Sequence, residues 1–271
     1  MKIIRFEDAT GRVGYGRIAG DDLRNAERLS GDLFAPGGPR PTGETTSVRR
    51  VLAPLDPPNV LCIGLNYRRH AMESNMEPPE RPVLFLKATT TVVGHEAPIV
   101  VPPSSSEVDY ECELAVVIGK TARDIPEEAA LDYVLGYTAA NDVSARDWQL
   151  RLDRQWARGK SFDTFCPLGP VLVTSDDLSD PDALAIRTRL NGETVQNSNT
   201  SDMIFSVRHL ISYLSRGMTL VPGTVLLTGT PEGVGMSRKP PRFLRSGDVC
   251  EIEVEGVGTL RNPVVAAAEA A

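Results

Sequence analysis

The sequence predicts a mainly β protein with α+β character, and three observations carry that reading. Short apolar runs rich in β-branched residues recur between Gly- and Pro-containing turns. Asn191–Gly192 separates IRTRL from ETVQ, a two-residue hairpin signal. Only one segment has a clear helical period, MIFSVRHLISYLSR over 203–216, with Ile204, Val207, Leu210, Ile211 and Leu214 on one face. Strands and helices do not alternate regularly, which argues against a doubly wound parallel sheet.

In chain order, IIRFEDATGRVGYGRI reads as two short strands around a Gly-containing turn. The stretch Leu33–Thr46, with Pro36, Gly37, Gly38, Pro39, Pro41 and Gly43, reads as loop, and Pro54–Pro58 is a second break. These features divide the chain into a small β-rich N-terminal region, 1–57, and a main domain, 58–271. In the main domain NVLCIGLNY, PVLFLKA, ECELAVVIGK, YTAANDVS, GPVLVT, TVLLTG and VCEIEVEG read as strands. Ser144-x-x-Asp147 resembles a capping box opening a short helix. Ser201 or Asp202 is the expected cap of helix 203–216. The Ala-rich tail after Val265 is expected to fray.

A chain of 271 residues can bury a core without disulfide staples. The net charge is -7, from 36 acidic and 29 basic residues. With no basic run and no aromatic–basic interleaving, nucleic acid is not an expected partner. MKIIRFEDATGRVG lacks the apolar core of a signal peptide, and no apolar stretch reaches the roughly 18 residues that span a bilayer, so no membrane association is expected. Cys62, Cys112, Cys166 and Cys250 are scattered without a CxxC, which suits a reducing cytoplasm and thiols used as small core residues.

The densest chemical signal is VDYECELAVVIGK. Side chains two apart in a strand point the same way, so Glu111 and Glu113 share a face. Two adjacent carboxylates on an apolar strand suit either a wet edge strand or a cation held between them. Asp142, at the end of YTAANDVS, suits a turn, or a third ligand of that cation. Together the three make an oxygen-only site that favours Mg²⁺, Mn²⁺ or Ca²⁺ over zinc.

A second cluster is CIGLNYRRHAMESNMEPPERP. His70 and Glu73 would lie on one helical turn, where a carboxylate orients an imidazole for general-base work; the pair equally suits an exposed surface. The stretch Met72–Arg81 resembles a lid loop. Lys87 and Lys160 sit at strand ends. Gly159–Lys160–Ser161 is not a phosphate loop, because the required earlier glycine is Arg154. Gly14-x-Gly16-x-x-Ala19 has no βαβ unit around it and is not a dinucleotide site. Thr228–Gly233 is either an ordinary loop or one whose backbone N–H groups approach a ligand.

Taken in order, Gly64–Leu65–Asn66–Tyr67 with His70 and Glu73, the FLK ending at Lys87, D-Y-E-x-E at 109–113, Gly136–Tyr137 leading to Asp142, Ser144–Asp147, Gly159–Asp163, Asn191–Glu193 and Thr228–Pro231 resemble the fumarylacetoacetate hydrolase family over about 58–265. The resemblance implies a mixed β-sandwich, β-roll-like fold, in a homodimer. It implies Glu111, Glu113 and Asp142 as ligands of Mg²⁺ or Mn²⁺, and His70 with Glu73 as a water-activating dyad. It also implies Lys160 at the substrate oxygens, with Lys87, Arg146, Gln149 and Thr230 as further substrate-binding positions. The expected activity is hydrolysis of a C–C bond in a small 2,4-dioxo (1,3-dicarbonyl) acid. Decarboxylation of a 2-oxo acid, isomerisation and hydration use the same enolate logic, and a non-catalytic metal-binding module is the alternative of another class.

Overall fold

The computed structural model describes residues 1–178 and 180–270. The N-terminal region folds into four strands: β1 (Lys2–Asp8), β2 (Val13–Arg17), β3 (Asn25–Ser30) and β4 (Arg40–Leu52). Each pairs antiparallel with its neighbours, and β1 pairs with both β2 and β4, closing a small roll. The loop expected over Leu33–Thr46 therefore ends early. Arg40–Thr46 is already strand, because β3 supplies backbone partners from Ser30↔Arg40 onward and overrides the local Pro and Gly content.

The remaining strands are β5 (Val60–Gly64), β6 (Val83–Lys87), β7 (Val92–Val93), β8 (Ile99–Val101), β9 (Val108–Asp109), β10 (Cys112–Ile118), β11 (Val134–Asn141), β12 (Ser144–Ala145), β13 (Cys166–Thr174), β14 (Ala185–Leu190), β15 (Glu193–Asn199), β16 (Val225–Leu227), β17 (Val249–Val254) and β18 (Gly258–Ala266). The large mixed sheet runs β2-β3-β4-β1-β13-β11-β10-β16-β5-β6, and a second sheet runs β15-β14-β17-β18-β8. The N-terminal roll thus continues the main sheet, through Lys2↔Val173 and Ile3↔Leu172.

Side chains alternate across a strand, so β10 sends Leu114 and Val116 to one core and Ala115 and Val117 to another. The first core also takes Ile186 of β14, Ile252 of β17 and Leu260 of β18, so the two sheets pack face to face. The second is covered by Leu33, Leu55 and Trp156. With both faces dry, β10 reads as a continuous apolar run and is buried along its whole length. Glu113 within it, and Glu111 just before it, are buried and do not belong to a wet edge. The fold is the mainly β sandwich and roll that the sequence predicts, and all four cysteines are free and buried.

Three helices decorate the sheets: α1 (Arg68–Glu73), α2 (Trp156–Lys160) and α3 (Val207–Gly217). Helix α3 starts later than its apolar period suggests, and Ser206 is its cap, accepting from the His209 N–H at 3.2 Å. Ser201 and Asp202 lie in a separate short turn. Ser144 does not cap a helix either; it pairs with Asp109 in β12, and Asp147 caps the following π-helical turn by accepting from Trp148 N–H at 2.9 Å. The tail ends in a short turn tied back by Glu269, which accepts from Ser246 Oγ at 2.5 Å.

Candidate active site

Strands β10 and β11 run antiparallel with Cys112 opposite Asn141, so the start of one lies beside the end of the other. That register brings Glu111 next to Asp142, whose N–H donates to the Glu111 carbonyl at 2.9 Å. Glu111, Glu113 and Asp142 each offer a carboxylate oxygen, with the three oxygens within 4.8 Å of one another, and all three residues are buried.

Three cations brace this cluster. Lys160, at the end of α2, donates from Nζ to Glu111 Oε2 at 2.5 Å and Asp142 Oδ2 at 2.8 Å. Lys87, at the end of β6, donates to Asp142 Oδ1 at 2.5 Å and the Val143 carbonyl at 3.0 Å. Arg146 places Nη2 2.7 Å from Glu111 Oε1 and donates from Nε to Asp109 Oδ2 at 2.9 Å and from Nη1 to Gln149 Oε1 at 2.9 Å.

The loop after β16 is the second half of the site. Gly229 has φ +100°, and a Cβ there would stand 2.7 Å from the Asn66 Cβ, so both conformation and space require glycine. Its N–H donates to Glu113 Oε2 at 2.7 Å. Gly233 N–H donates to both Glu73 oxygens at 3.0 and 3.1 Å, and Gly235 and Met236 N–H donate to Asp109 at 2.7 and 3.0 Å. One glycine-rich loop thus orients three carboxylates through backbone donors that carry no side-chain signature.

Helix α1 holds His70 and Glu73 one turn apart, with His70 Nδ1 3.3 Å from Glu73 Oε2. The helix is pinned from outside: Arg69 N–H donates to Asp202 Oδ2 at 3.0 Å, and Asn66 Nδ2 donates to the Thr228 carbonyl at 2.7 Å.

Electrostatics divide the carboxylates. Burial alone would push the Glu111 carboxyl up, but Lys160 and Arg146 outweigh it and hold it down to about 2. Glu113 is pushed well above the usual range by burial, with Asp142 and Glu111 adding to the effect. Lys160 is raised: burial opposes its charge, but Asp142 and Glu111 overcome that. The cluster is therefore short of positive charge at Glu113. A hard divalent cation with oxygen ligands fits that deficit and the donor set.

A cavity of about 360 Å³ opens over this cluster. Its walls include His70, Glu73, Glu111, Glu113, Asp142, Arg146, Gln149, Lys160 and Thr230, which brings nine of the ten residues expected from sequence to one place. Lys87 is the exception. Its side chain is fully enclosed behind Asp142, to which it is paired, and does not line the cavity. Sequence reasoning assigned no role to Asp109, although Asp109, Glu111 and Glu113 alternate at strand spacing. It also assigned none to Phe85 and Trp156, which wall the cavity edge to face with centroids 6.1 Å apart.

Residues 59–265 match the family described as "Fumarylacetoacetate (FAA) hydrolase C-terminal". The chain belongs to the fumarylacetoacetate hydrolase family. It is an enzyme of that family, whose members act on small organic acids. Residues 1–54 separately match "Rv2993c-like, N-terminal". Among curated family relatives, "Oxaloacetate tautomerase fahd2, mitochondrial" of Xenopus laevis is 54% identical over 217 residues, 79% of this chain and 68% of that protein. "Oxaloacetate tautomerase FAHD2A, mitochondrial" of Homo sapiens is 50% identical over 216 residues, 79% of this chain and 69% of that one. Among solved structures, the 2-hydroxyhepta-2,4-diene-1,7-dioate isomerase from Mycobacterium marinum is 40% identical with a TM-score of 0.86, covering 98% of this chain and 99% of that one. The 5-carboxymethyl-2-hydroxymuconate delta-isomerase from Mycobacterium smegmatis is 41% identical with a TM-score of 0.86, covering 98% and 100%.

Proposed function

We propose that this enzyme is a divalent-metal-dependent keto–enol tautomerase of small 2-oxo acids of the oxaloacetate type. The observation that carries the reading is one cavity in which the His70–Glu73 pair shares the walls with three buried carboxylates, Glu111, Glu113 and Asp142, close enough together to hold one cation. The names of relatives 50–54% identical to this chain support the choice among the chemistries such a site permits. A volume of about 360 Å³ lies at the small end of the roughly 300–1,000 Å³ common for small-molecule sites.

Glu111, Glu113 and Asp142 would hold Mg²⁺ or Mn²⁺, which when bound supplies Lewis acidity toward the carboxylate and 2-oxo oxygens of the substrate. The chain's own groups do the rest. Lys160 and Arg146 present N–H donors beside those carboxylates, where an acid head group is drawn in and oriented. His70 takes a proton from substrate C3, and Glu73, itself fixed by Gly233 N–H, holds the ring and supports the imidazolium that forms. As the C3–H pair moves into the C2–C3 bond, charge grows on the 2-oxo oxygen, where the Lys160 ammonium offers a donor. Proton return to that oxygen gives the enol; the reverse path gives the keto acid.

C–C hydrolysis of a 2,4-dioxo acid is the second reading, favoured by the same dyad, since a carboxylate-held histidine also suits activation of water. The test follows the decay of enol oxaloacetate by absorbance with Mn²⁺ and with EDTA, while pyruvate is read by a coupled dehydrogenase. Metal-dependent enol loss without pyruvate is expected. Pyruvate from oxaloacetate would replace the proposal with decarboxylation, and pyruvate from acetylpyruvate alone would replace it with hydrolysis.

A further inference from the structure

The lysine and arginine of the cavity lining, Lys160 and Arg146, both sit at the carboxylate cluster. Lys160 pairs with Glu111 and Asp142, and Arg146 with Glu111 and Asp109. A substrate that carries a second carboxylate away from that cluster meets no free lysine or arginine among the described lining residues, so its partners there are neutral donors.

Gln149, Thr230, Ser74 and Ser237 are neutral donors in the lining, and burial sorts them. Gln149 and Thr230 are 6% and 4% exposed. Both are tied in: Gln149 Oε1 accepts from Arg146 Nη1 at 2.9 Å, and Thr230 Oγ1 from Gln196 Nε2 at 2.9 Å. They belong with Arg146, at the head-group end. Ser74 and Ser237 are half-buried. Their backbones are fixed, Ser74 N–H donating to the His70 carbonyl at 3.0 Å and Ser237 N–H to the Val234 carbonyl at 3.1 Å. Their hydroxyls have no partner among the described residues. Ser105, Ser144 and Ser215, by contrast, each donate to an oxygen of the chain, at 2.7, 2.9 and 3.0 Å.

We propose that the Ser74 and Ser237 hydroxyls bind the second carboxylate of the substrate, so that the enzyme prefers 2-oxo dicarboxylic acids over 2-oxo acids of the same length that end in a methyl group. The proposal deepens the function above and rests on its placement of the 2-oxo acid head at the carboxylate cluster. In that placement His70 faces substrate C3, and the carbon chain beyond C3 runs away from the cluster. Ser74 follows Glu73 directly, at the end of the helix that holds His70. Ser237 belongs to the glycine-rich loop, held there by Met236 N–H on Asp109 Oδ2 at 3.0 Å. Two elements far apart in sequence thus each present one unused hydroxyl to the same cavity. A hydroxyl that donates to a carboxylate makes a charge-assisted bond, stronger than a neutral pair, and two of them offset the hydration that the carboxylate gives up.

Oxamates test it, because a nitrogen in place of C3 leaves no C3 proton to remove. N-carboxymethyl oxamate is paired with N-ethyl oxamate, and N-(2-carboxyethyl) oxamate with N-propyl oxamate. Each compound is titrated into the Mn²⁺-loaded enzyme by calorimetry. In at least one pair the carboxylate compound is expected to bind about tenfold tighter or more. Ser74→Ala and Ser237→Ala are each expected to cut that ratio about fivefold or more, and Ser74→Thr, which keeps the hydroxyl, to retain it. Mn²⁺ affinity and melting temperature, read on the same variants, show that the fold and the carboxylate cluster are intact. A ratio near one in both pairs, binding of none of the four compounds, or a ratio unchanged in either alanine variant would overturn the subsite. Failure of the tautomerase reading shows separately, as no turnover of enol oxaloacetate beside an intact ratio.

Discussion

At the scale of the residue, the site is a balance of buried charge. His70 is held by Glu73 and Glu73 by Gly233 N–H, so removing the base or its support should reach the same step. His70→Ala is expected to lower kcat by roughly 10²–10⁴. Mn²⁺ affinity by calorimetry should stay within about twofold, because neither residue is in the carboxylate trio. Full turnover with metal bound would remove His70 from the mechanism. Glu113 gives a pH prediction. Burial, with Asp142 and Glu111 adding to it, raises its carboxyl above the ordinary 4.5, so it keeps its proton to higher pH in the metal-free fold than in the unfolded chain. A raised folded-state value stabilises below the unfolded value, and the contribution is lost as pH rises through the folded one. In EDTA, Glu113→Gln should therefore match the wild type near pH 4 and melt progressively higher than it toward pH 8. With Mn²⁺ the order should reverse, since the carboxylate is then a ligand. Calorimetry in buffers of different ionisation enthalpy should also show proton release on metal binding at neutral pH. Equal melting curves across the range would sink the assignment of the raised carboxyl to Glu113.

At the scale of the element, the cap of α3 lies away from where sequence placed it. Asp202 looks like the start of α3, but its carboxylate accepts from Arg69 N–H, in α1. Ser206 has the local geometry of a cap and α3 begins after it. The expected result is a division of labour: Ser206→Ala costs about 1 kcal/mol of stability by urea unfolding. Asp202→Ala instead frays α1 and lowers kcat through a loosened His70. Equal effects of the two changes on kcat would contradict this. The apolar face of α3 was legible because packing follows a 3.6-residue period. Its first turn was not, because Ile204 donates its N–H to the Asn66 carbonyl, a partner far away in sequence.

At the scale of the whole molecule, the N-terminal region and the main domain share a sheet. Pro54–Pro58 is a break in sequence, yet β1 pairs with β13, and Ile3, Leu33 and Leu55 belong to the core that covers β10 and β16. A chain beginning at Asn59 would expose the edge of β13 and that apolar face together. It is expected to aggregate or to lose its single cooperative transition, read by size-exclusion chromatography and near-ultraviolet circular dichroism. A monomeric fragment that binds Mn²⁺ would show that the roll is dispensable.

The sequence by itself determined the strand content, the hairpin at Asn191–Gly192, the apolar face of α3 and the residue types of the chemistry. Each is a local property: a period of two or 3.6, a turn dipeptide, a pair of carboxylates two apart. The family resemblance added the order of those motifs, and so nine of the ten expected site residues meet in one cavity. Only the tertiary structure decided that Glu111 and Glu113 are dry, because burial of β10 on both faces is set by strands distant in sequence. It decided that Lys87 stands behind Asp142 and not in the cavity. It also revealed Asp109 as the group joining Arg146 to the glycine-rich loop, since the donors from Gly235 and Met236 are backbone N–H groups that every residue but proline possesses. Which of them meets a carboxylate depends on where the chain folds back, and no local pattern records that.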